Sequence, residues 1–365
     1  MRIYMNIKIL SGNNQNSYTL IIKPGAINDI GKIIKRSKIA GALIILTNNK
    51  IKRLWFSDLK RSLTKSSIDY NLIIIPDGER YKSIDTYKYI ISKLAEYKVD
   101  RYATLLTFGG GVIGDLGGFV ASTYKRGMNL IHVPTTLVAQ IDSSIGGKTG
   151  INLAEGKNLL GTFYNPVCVC IDPNILSTLD DNQFRNGLFE AIKVALVSNP
   201  QLFSYIMKNY TDILNRQNGV INKLVYQCAL EKTRIVEEDP FEKSTRMILN
   251  FGHTFGHALE TRAGYRKLGH GEAVGWGMLL AINLSEILKQ SDNGGFNIPR
   301  DLVHDLLGKK GLLKTNPDDL WQTMSLDKKN RNNKVRFVLL RDIGQAIIKE
   351  INKNQFQKAL TELCR

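Results

Sequence analysis

The stretch LLTFGGGVIGDLGGFVA, residues 105–121, decides how the rest of the chain is read. An apolar run at 103–108 empties into Gly109, Gly110 and Gly111, and a helical pattern begins near Ile113. In that order, glycines let backbone N–H groups approach a phosphate, and the helix N-terminus favours negative charge. Downstream, VPTTLVAQIDSSIGGKTGIN (133–152) and GKNLLGTFYNPV (156–167) add hydroxyls at Thr135, Thr136, Ser143 and Ser144. They also add the carboxylate Asp142, and Lys148 and Lys157 in glycine-rich turns. Packing has no need of so many small and polar groups, so residues 105–172 read as a site.

Outward from this stretch, candidate strands at 18–22, 43–47, 72–75, 103–108, 130–133 and 167–171 alternate with helical patterns such as 83–97 and 113–124. Such alternation predicts a largely parallel, Rossmann-like sheet covered by helices, with ligands outside the carboxyl ends of its strands. Asn48, residues 77–82, the triple glycine and 134–136 each follow a predicted strand and would line one crevice. Beyond residue 176 the pattern is helical, at 184–197, 202–210, 220–238, 254–263, 272–289 and 300–307, with a late hairpin at 335–340 and 345–350. The expected organisation is an α/β domain over residues 1–174 and a mainly α-helical domain over 175–365, divided at the IDPNIL turn.

A chain of 365 residues, 43% hydrophobic and 23% charged, is ordinary for a soluble globular protein with two domains. No apolar run approaches the roughly 18 residues that span a bilayer. The opening MRIYMNIKILSGNN has neither the apolar core nor the cleavage site of a secretory signal. Cys168, Cys170, Cys228 and Cys364 form no CxxC pair and read as reduced thiols. A cytoplasmic protein without membrane contact is expected. The net charge of +17 is spread along the chain in ones and twos, and its densest run, KKNRNNKVR (328–336), has no interleaved aromatics to stack bases. This argues against nucleic acid and for a field that helps collect an anionic small molecule.

Three of the five histidines lie in NFGHTFGHALE (250–260) and LGHGEAVGWGM (268–278). His253 and His257 share a helix face, and spacing alone nominates His253, His257 and His270 as ligands of a divalent metal, with a carboxylate completing the set. His132 and His304 have no such company and read as surface or core groups. Glu190 and Lys193 fall on one face of an otherwise apolar helix, where burial would demand a partner for each. Lys232, Arg246 and Asn250 lie shortly before the histidines and, taken alone, read as solvated groups.

Together GGGVIGDLGGFVASTYKRG, VPTTLVAQIDSSIGGKTGIN, GKNLLGTFYNP, NFGHTFGHALE and HGEAVGWGM resemble the 3-dehydroquinate synthase family, in order and at its spacing, from about residue 20 to residue 350. The resemblance implies a dehydroquinate synthase-like fold. An NAD-binding α/β domain would be followed by a mainly helical metal- and substrate-binding domain, with substrate between them. It implies cyclisation of 3-deoxy-D-arabino-heptulosonate 7-phosphate. NAD would oxidise the carbon-5 hydroxyl, phosphate would leave, the hydride would return, and an intramolecular aldol closure would give 3-dehydroquinate.

Carried onto this chain, the family's metal ligands are Glu190, His253 and His270, holding one zinc ion, or cobalt. His257 then becomes a substrate-contacting or proton-transfer residue. The resemblance makes Lys148, Asn158, Lys193 and Arg126 substrate and phosphate contacts, Arg126 reaching across a homodimer interface. It gathers Lys232, Arg246, Asn250 and Lys328 around the carboxylate and ring hydroxyls, with Asp142 beside the hydroxyls or orienting lysines. NAD would lie along Asp77, Gly78, Glu79, Arg80, Tyr81 and Lys82, then Gly111, Val112, Ile113, Gly114 and Asp115, with Thr135, Thr136, Lys148, Lys157 and Thr178.

Three positions depart from the family pattern. Asn48 stands where an acid commonly follows the threonine, INLAEGKN replaces the usual His-Pro before Gly-Lys-Asn, and His132 stands where glutamine is commoner. The alternatives are another sugar-phosphate cyclase, such as 2-deoxy-scyllo-inosose synthase, or an NAD-dependent polyol dehydrogenase. Substrates of those cyclases lack the carboxylate that Lys232 and Arg246 would hold, and a dehydrogenase has no use for the phosphate cluster. A scaffold or nucleic-acid binder predicts missing metal ligands.

Overall fold

The strand that runs into the triple glycine and the strand beside it at residues 43–48 are buried along their whole length, as apolar runs must be in a sheet covered on both faces. The computed structural model describes residues 6–9, 17–37, 41–263, 268–290, 295–309, 311–313, 315–325 and 334–364. Its strands are β1 (Asn6–Ile9), β2 (Tyr18–Ile22), β3 (Leu43–Asn48), β4 (Tyr70–Ile75), β5 (Thr104–Gly109), β6 (Asn129–Pro134), β7 (Lys148–Leu153), β8 (Gly156–Phe163), β9 (Cys168–Ile171), β10 (Val335–Asp342) and β11 (Gln345–Ile351). Seven form one sheet in the order β1-β2-β9-β6-β5-β3-β4. All its pairs are parallel except β1 with β2. Each of the six expected early strands is present in it.

Side chains alternate across the sheet. Leu106 and Phe108 of β5 pack with Ile30 and Leu59 on one face, while Leu105 packs with Leu94, Leu116 and Val120 on the other. The helix Gly111–Thr123 lies close against the sheet. A Cβ on Gly117 would fall 2.3 Å from Thr107 Cγ2, and one on Gly118 would fall 2.4 Å from Thr149 Cγ2. Only glycine permits that approach, which seats the helix N-terminus at the carboxyl end of β5. Lys148 and Lys157 require a correction: they lie in the antiparallel ribbon β7–β8, not in turns. Most of β8 is solvent-facing, so the ribbon carries no clear apolar alternation to announce it.

The chain forms two compact units, residues 1–180 with 214–241, and residues 181–213 with 242–365. Within the first unit, the helix Asn218–Glu238 packs on a π-helical turn, Ala139–Ser143. In the second unit, the helix His270–Ile287 is buried for most of its length. Around it pack the helices Asp181–Ser198, His253–Arg262, Asn297–Leu307 and Lys353–Leu363 and strand β10 of the hairpin. Gly252 adopts φ +79°, and its carbonyl would lie 1.8 Å from a Cβ on Gly277. This contact fixes where the helix bearing His253 and His257 begins. Among the described residues, no helix is long and apolar enough to cross a membrane.

Candidate active site

Three elements of the second unit converge on one carboxylate. Glu190 sits inside the helix Asp181–Ser198, while His253 and His270 are each the first residue of a helix. One ligand atom from each lies within 4.8 Å of the others. Glu190 Oε1 is 3.7 Å from His253 Nε2 and 3.5 Å from His270 Nε2, and Lys193 Nζ pairs with Oε2. Glu190 and Lys193 are each 1% exposed. Among the described residues neither buried Glu190 oxygen receives a well-directed hydrogen bond, although Oε2 faces the Lys193 ammonium. A buried carboxylate in that condition has donor capacity to spare for a cation.

The charges of this cluster act on one another at close range. Burial works to raise the Glu190 carboxyl, but Lys193, His253 and His270 hold it well below the usual range. Burial and the Lys193 cation lower His253. His270, against the effect of burial, is raised to about 9 by Glu190 and Glu260. His253 Nδ1 is 3.2 Å from the Phe251 carbonyl oxygen, leaving Nε2 toward Glu190.

The set nominated by spacing alone is redistributed. His257 is exposed, its ring 5.3 Å from that of His253 and 6.1 Å from that of His270, and its ligand atoms group with Glu260 and His270 instead. Sequence reading did not single out Glu260, whose Oε2 lies 3.4 Å from His270 Nδ1. Its one signal was an i, i+3 spacing from His257. Arg246 is buried, and Asn250 donates to Glu242 Oε1 at 2.8 Å. Lys328 lies outside the described residues.

The first unit holds the glycine-rich constellation. No side chain caps the helix Gly111–Thr123, whose N-cap is Gly110. The loop after β4 carries residues 77–82 beside it. Lys82 Nζ lies 2.5 Å from both Asp115 Oδ2 and Asn158 Oδ1. Burial raises the Asp115 carboxyl against the opposing pull of Lys82. Asn158 has φ +54°, and its N–H donates to Asn152 Oδ1 at 3.0 Å. Asn152 Nδ2 in turn donates to Glu79 Oε1 at 2.8 Å, and the Arg80 guanidinium stacks 4.6 Å over the Tyr81 ring.

Asn48 has a local role. Its side chain accepts from Ile51 N at 2.9 Å, capping the next helix, and donates to Asp77 Oδ1 at 2.9 Å. An acid at 48 would oppose Asp77. Thr135 is buried after β6, and Thr136 Oγ1 accepts from Ala139 N at 3.2 Å. Asp142, on the π-helical turn, is ion-paired with Lys232 of the helix Asn218–Glu238. Arg126 is exposed with φ +65°, and Thr178 Oγ1 accepts from Trp55 Nε1 at 2.7 Å.

The family profile described as 3-dehydroquinate synthase N-terminal matches residues 72–186, and that described as 3-dehydroquinate synthase C-terminal matches residues 187–330. The chain belongs to the 3-dehydroquinate synthase family. It is 42% identical over 320 residues to the 3-dehydroquinate synthase of Dictyoglomus thermophilum, covering 87% of each chain. Against that of Vesicomyosocius okutanii subsp. Calyptogena okutanii it is 38% identical over 344 residues, covering 92% of this chain and 93% of the relative. Among solved structures it is similar to 2-epi-5-epi-valiolone synthase from Streptomyces hygroscopicus subsp. jinggangensis with NAD+ and Zn2+ bound. That match has a TM-score of 0.86 and 28% identity, over 97% of this chain and 98% of that one. A fold shared between dehydroquinate and valiolone synthases leaves substrate choice to side chains.

Proposed function

We propose that the chain acts as a 3-dehydroquinate synthase, a phosphorus–oxygen lyase converting 3-deoxy-D-arabino-heptulosonate 7-phosphate to 3-dehydroquinate and phosphate, in the shikimate route to aromatic amino acids. The observation that carries this reading is the Glu190–His253–His270 group with Lys193 beside it, in a chain of this family. Two imidazoles and a carboxylate fit one zinc or cobalt ion and leave room for substrate oxygens. The start of the helix at Gly111, uncapped by any described side chain and with the Lys82 ammonium close by, fits the pyrophosphate of NAD. When bound, NAD would supply a reversible hydride acceptor, and an ion held by Glu190, His253 and His270 would supply Lewis acidity toward a substrate oxygen.

The chain's own residues bind, orient and move protons. In this reading Lys148, Asn158, Lys193 and Arg126 hold the phosphate and neighbouring oxygens, and an imidazole nitrogen of the exposed His257 passes a proton. Lys232, Arg246, Asn250 and Lys328 take the carboxylate and hydroxyls, with Asp142 aiming the Lys232 ammonium. Residues 77–82, 111–115, Thr135, Thr136, Lys148, Lys157 and Thr178 receive NAD. A cytoplasmic homodimer, with Arg126 serving the neighbouring site, belongs to the same reading and is tested by the mass of the particle in solution.

A second reading, a sugar-phosphate cyclase of another substrate, draws on the likeness to the valiolone synthase. Purified protein given 3-deoxy-D-arabino-heptulosonate 7-phosphate and NAD should release phosphate and 3-dehydroquinate in equal amounts. Chelation should abolish both, and zinc should restore them. NADH without phosphate, or turnover of sedoheptulose 7-phosphate alone, would refute the proposal.

A further inference from the structure

His270 is flanked by two carboxylates, one at each ring nitrogen. Its Nε2 lies 3.5 Å from Glu190 Oε1, and its Nδ1 lies 3.4 Å from Glu260 Oε2. Glu260 is 3% exposed and stands seven residues after His253 on the same helix, so that one helix face carries both groups. A carboxylate this deeply buried requires a hydrogen-bonded or charged partner. His253 repeats the pattern with a backbone acceptor, the Phe251 carbonyl, 3.2 Å from its Nδ1.

We infer that Glu260 is a positioning residue that fixes the ring plane and Nδ1–H tautomer of His270, so that Nε2 is the atom offered to the ion beside Glu190. This rests on the metal reading above and deepens it. A ligand histidine whose other nitrogen donates to a carboxylate is held in orientation and made a better donor. The competing role is a ligand of a second ion, since His257, Glu260 and His270 also bring ligand atoms within 4.8 Å of one another. The two roles exclude each other at Nδ1 of His270, which cannot both donate a proton to Glu260 and bind a cation.

The test is uptake of Co2+ by metal-free wild type, Glu260→Ala and Glu260→Gln, followed by equilibrium dialysis and by the visible absorption of the bound ion. Far-UV circular dichroism matches the folded fraction of the three. Wild type should take one ion per chain. Glu260→Ala should bind it about 10–100-fold more weakly with a changed spectrum, and Glu260→Gln, which keeps an acceptor oxygen and the shape, should lose less. Binding by Glu260→Ala within about twofold of wild type overturns the inference. So does uptake of a second ion by wild type that the variants lose. No uptake by wild type, or unchanged uptake by Glu190→Ala, would instead refute the metal reading itself.

Discussion

Replacing His132 with glutamine should make this protein less sensitive to acid. His132 lies on β6, 6% exposed, with Nδ1 2.6 Å from Thr107 Oγ1. Burial lowers its pKa from 6.5 to about 4. The unfolded chain therefore binds a proton that the folded chain rejects, and stability must fall as the pH drops through this window. The penalty is absent well above pH 6.5 and complete well below pH 4. From those two values it weakens the fold by about 2 kcal/mol at pH 5 and by about 3 kcal/mol at the acid limit. Glutamine can keep a hydrogen bond to Thr107 without acquiring charge. Urea unfolding of both proteins at pH 7.5 and pH 5 isolates the effect, because the other titrating groups are common to both. The variant should lose about 2 kcal/mol less than wild type between the two conditions. Equal losses, within about 0.5 kcal/mol, would refute the reasoning.

Exchanging Glu190 for Gln removes the anion beside buried Lys193; the metal-free protein should lose about 3 kcal/mol in urea unfolding, and cobalt uptake should vanish. Lys232→Met should raise KM for the carboxylated substrate by about 10–100-fold, the loss of one charge-assisted hydrogen bond, read in a phosphate-release assay. Gly118→Ala should cost about 1–3 kcal/mol, seen as a lower Tm, because its Cβ would meet Thr149 Cγ2 at 2.4 Å.

The parallel sheet was legible because strands buried on both faces write continuous apolar runs, and β3 and β5 are buried at every position. The helix starting at Gly111 was legible from the glycines before it. The ribbon was not: exposed β8 lacks a period, and glycines at 150, 156 and 161 suggest turns. Helix-face spacing could pair His253 with His257, but it could not show that Glu190, some sixty residues earlier, would come to lie between His253 and His270. That convergence depends on how helices pack, which spacing within a single segment does not record. The resemblance supplied Glu190, yet not Glu260, whose carboxylate is recognisable only once the two helices lie together. Asn48 was a departure in the sequence; the pairing of β3 with β4 makes it the partner of Asp77.

The helix Asn218–Glu238 belongs with a sheet whose last strand ended at Ile171. During vectorial synthesis the first unit therefore cannot close when its sheet emerges. It must wait while a stretch of the other unit, residues 181–213, is made, and then recover the helix that brings Lys232 to Asp142. A fragment cut at the end of the sheet would bare the π-helical turn against which this helix packs. A piece meant to hold the whole first unit has to include residues 214–241, spliced or supplied in trans.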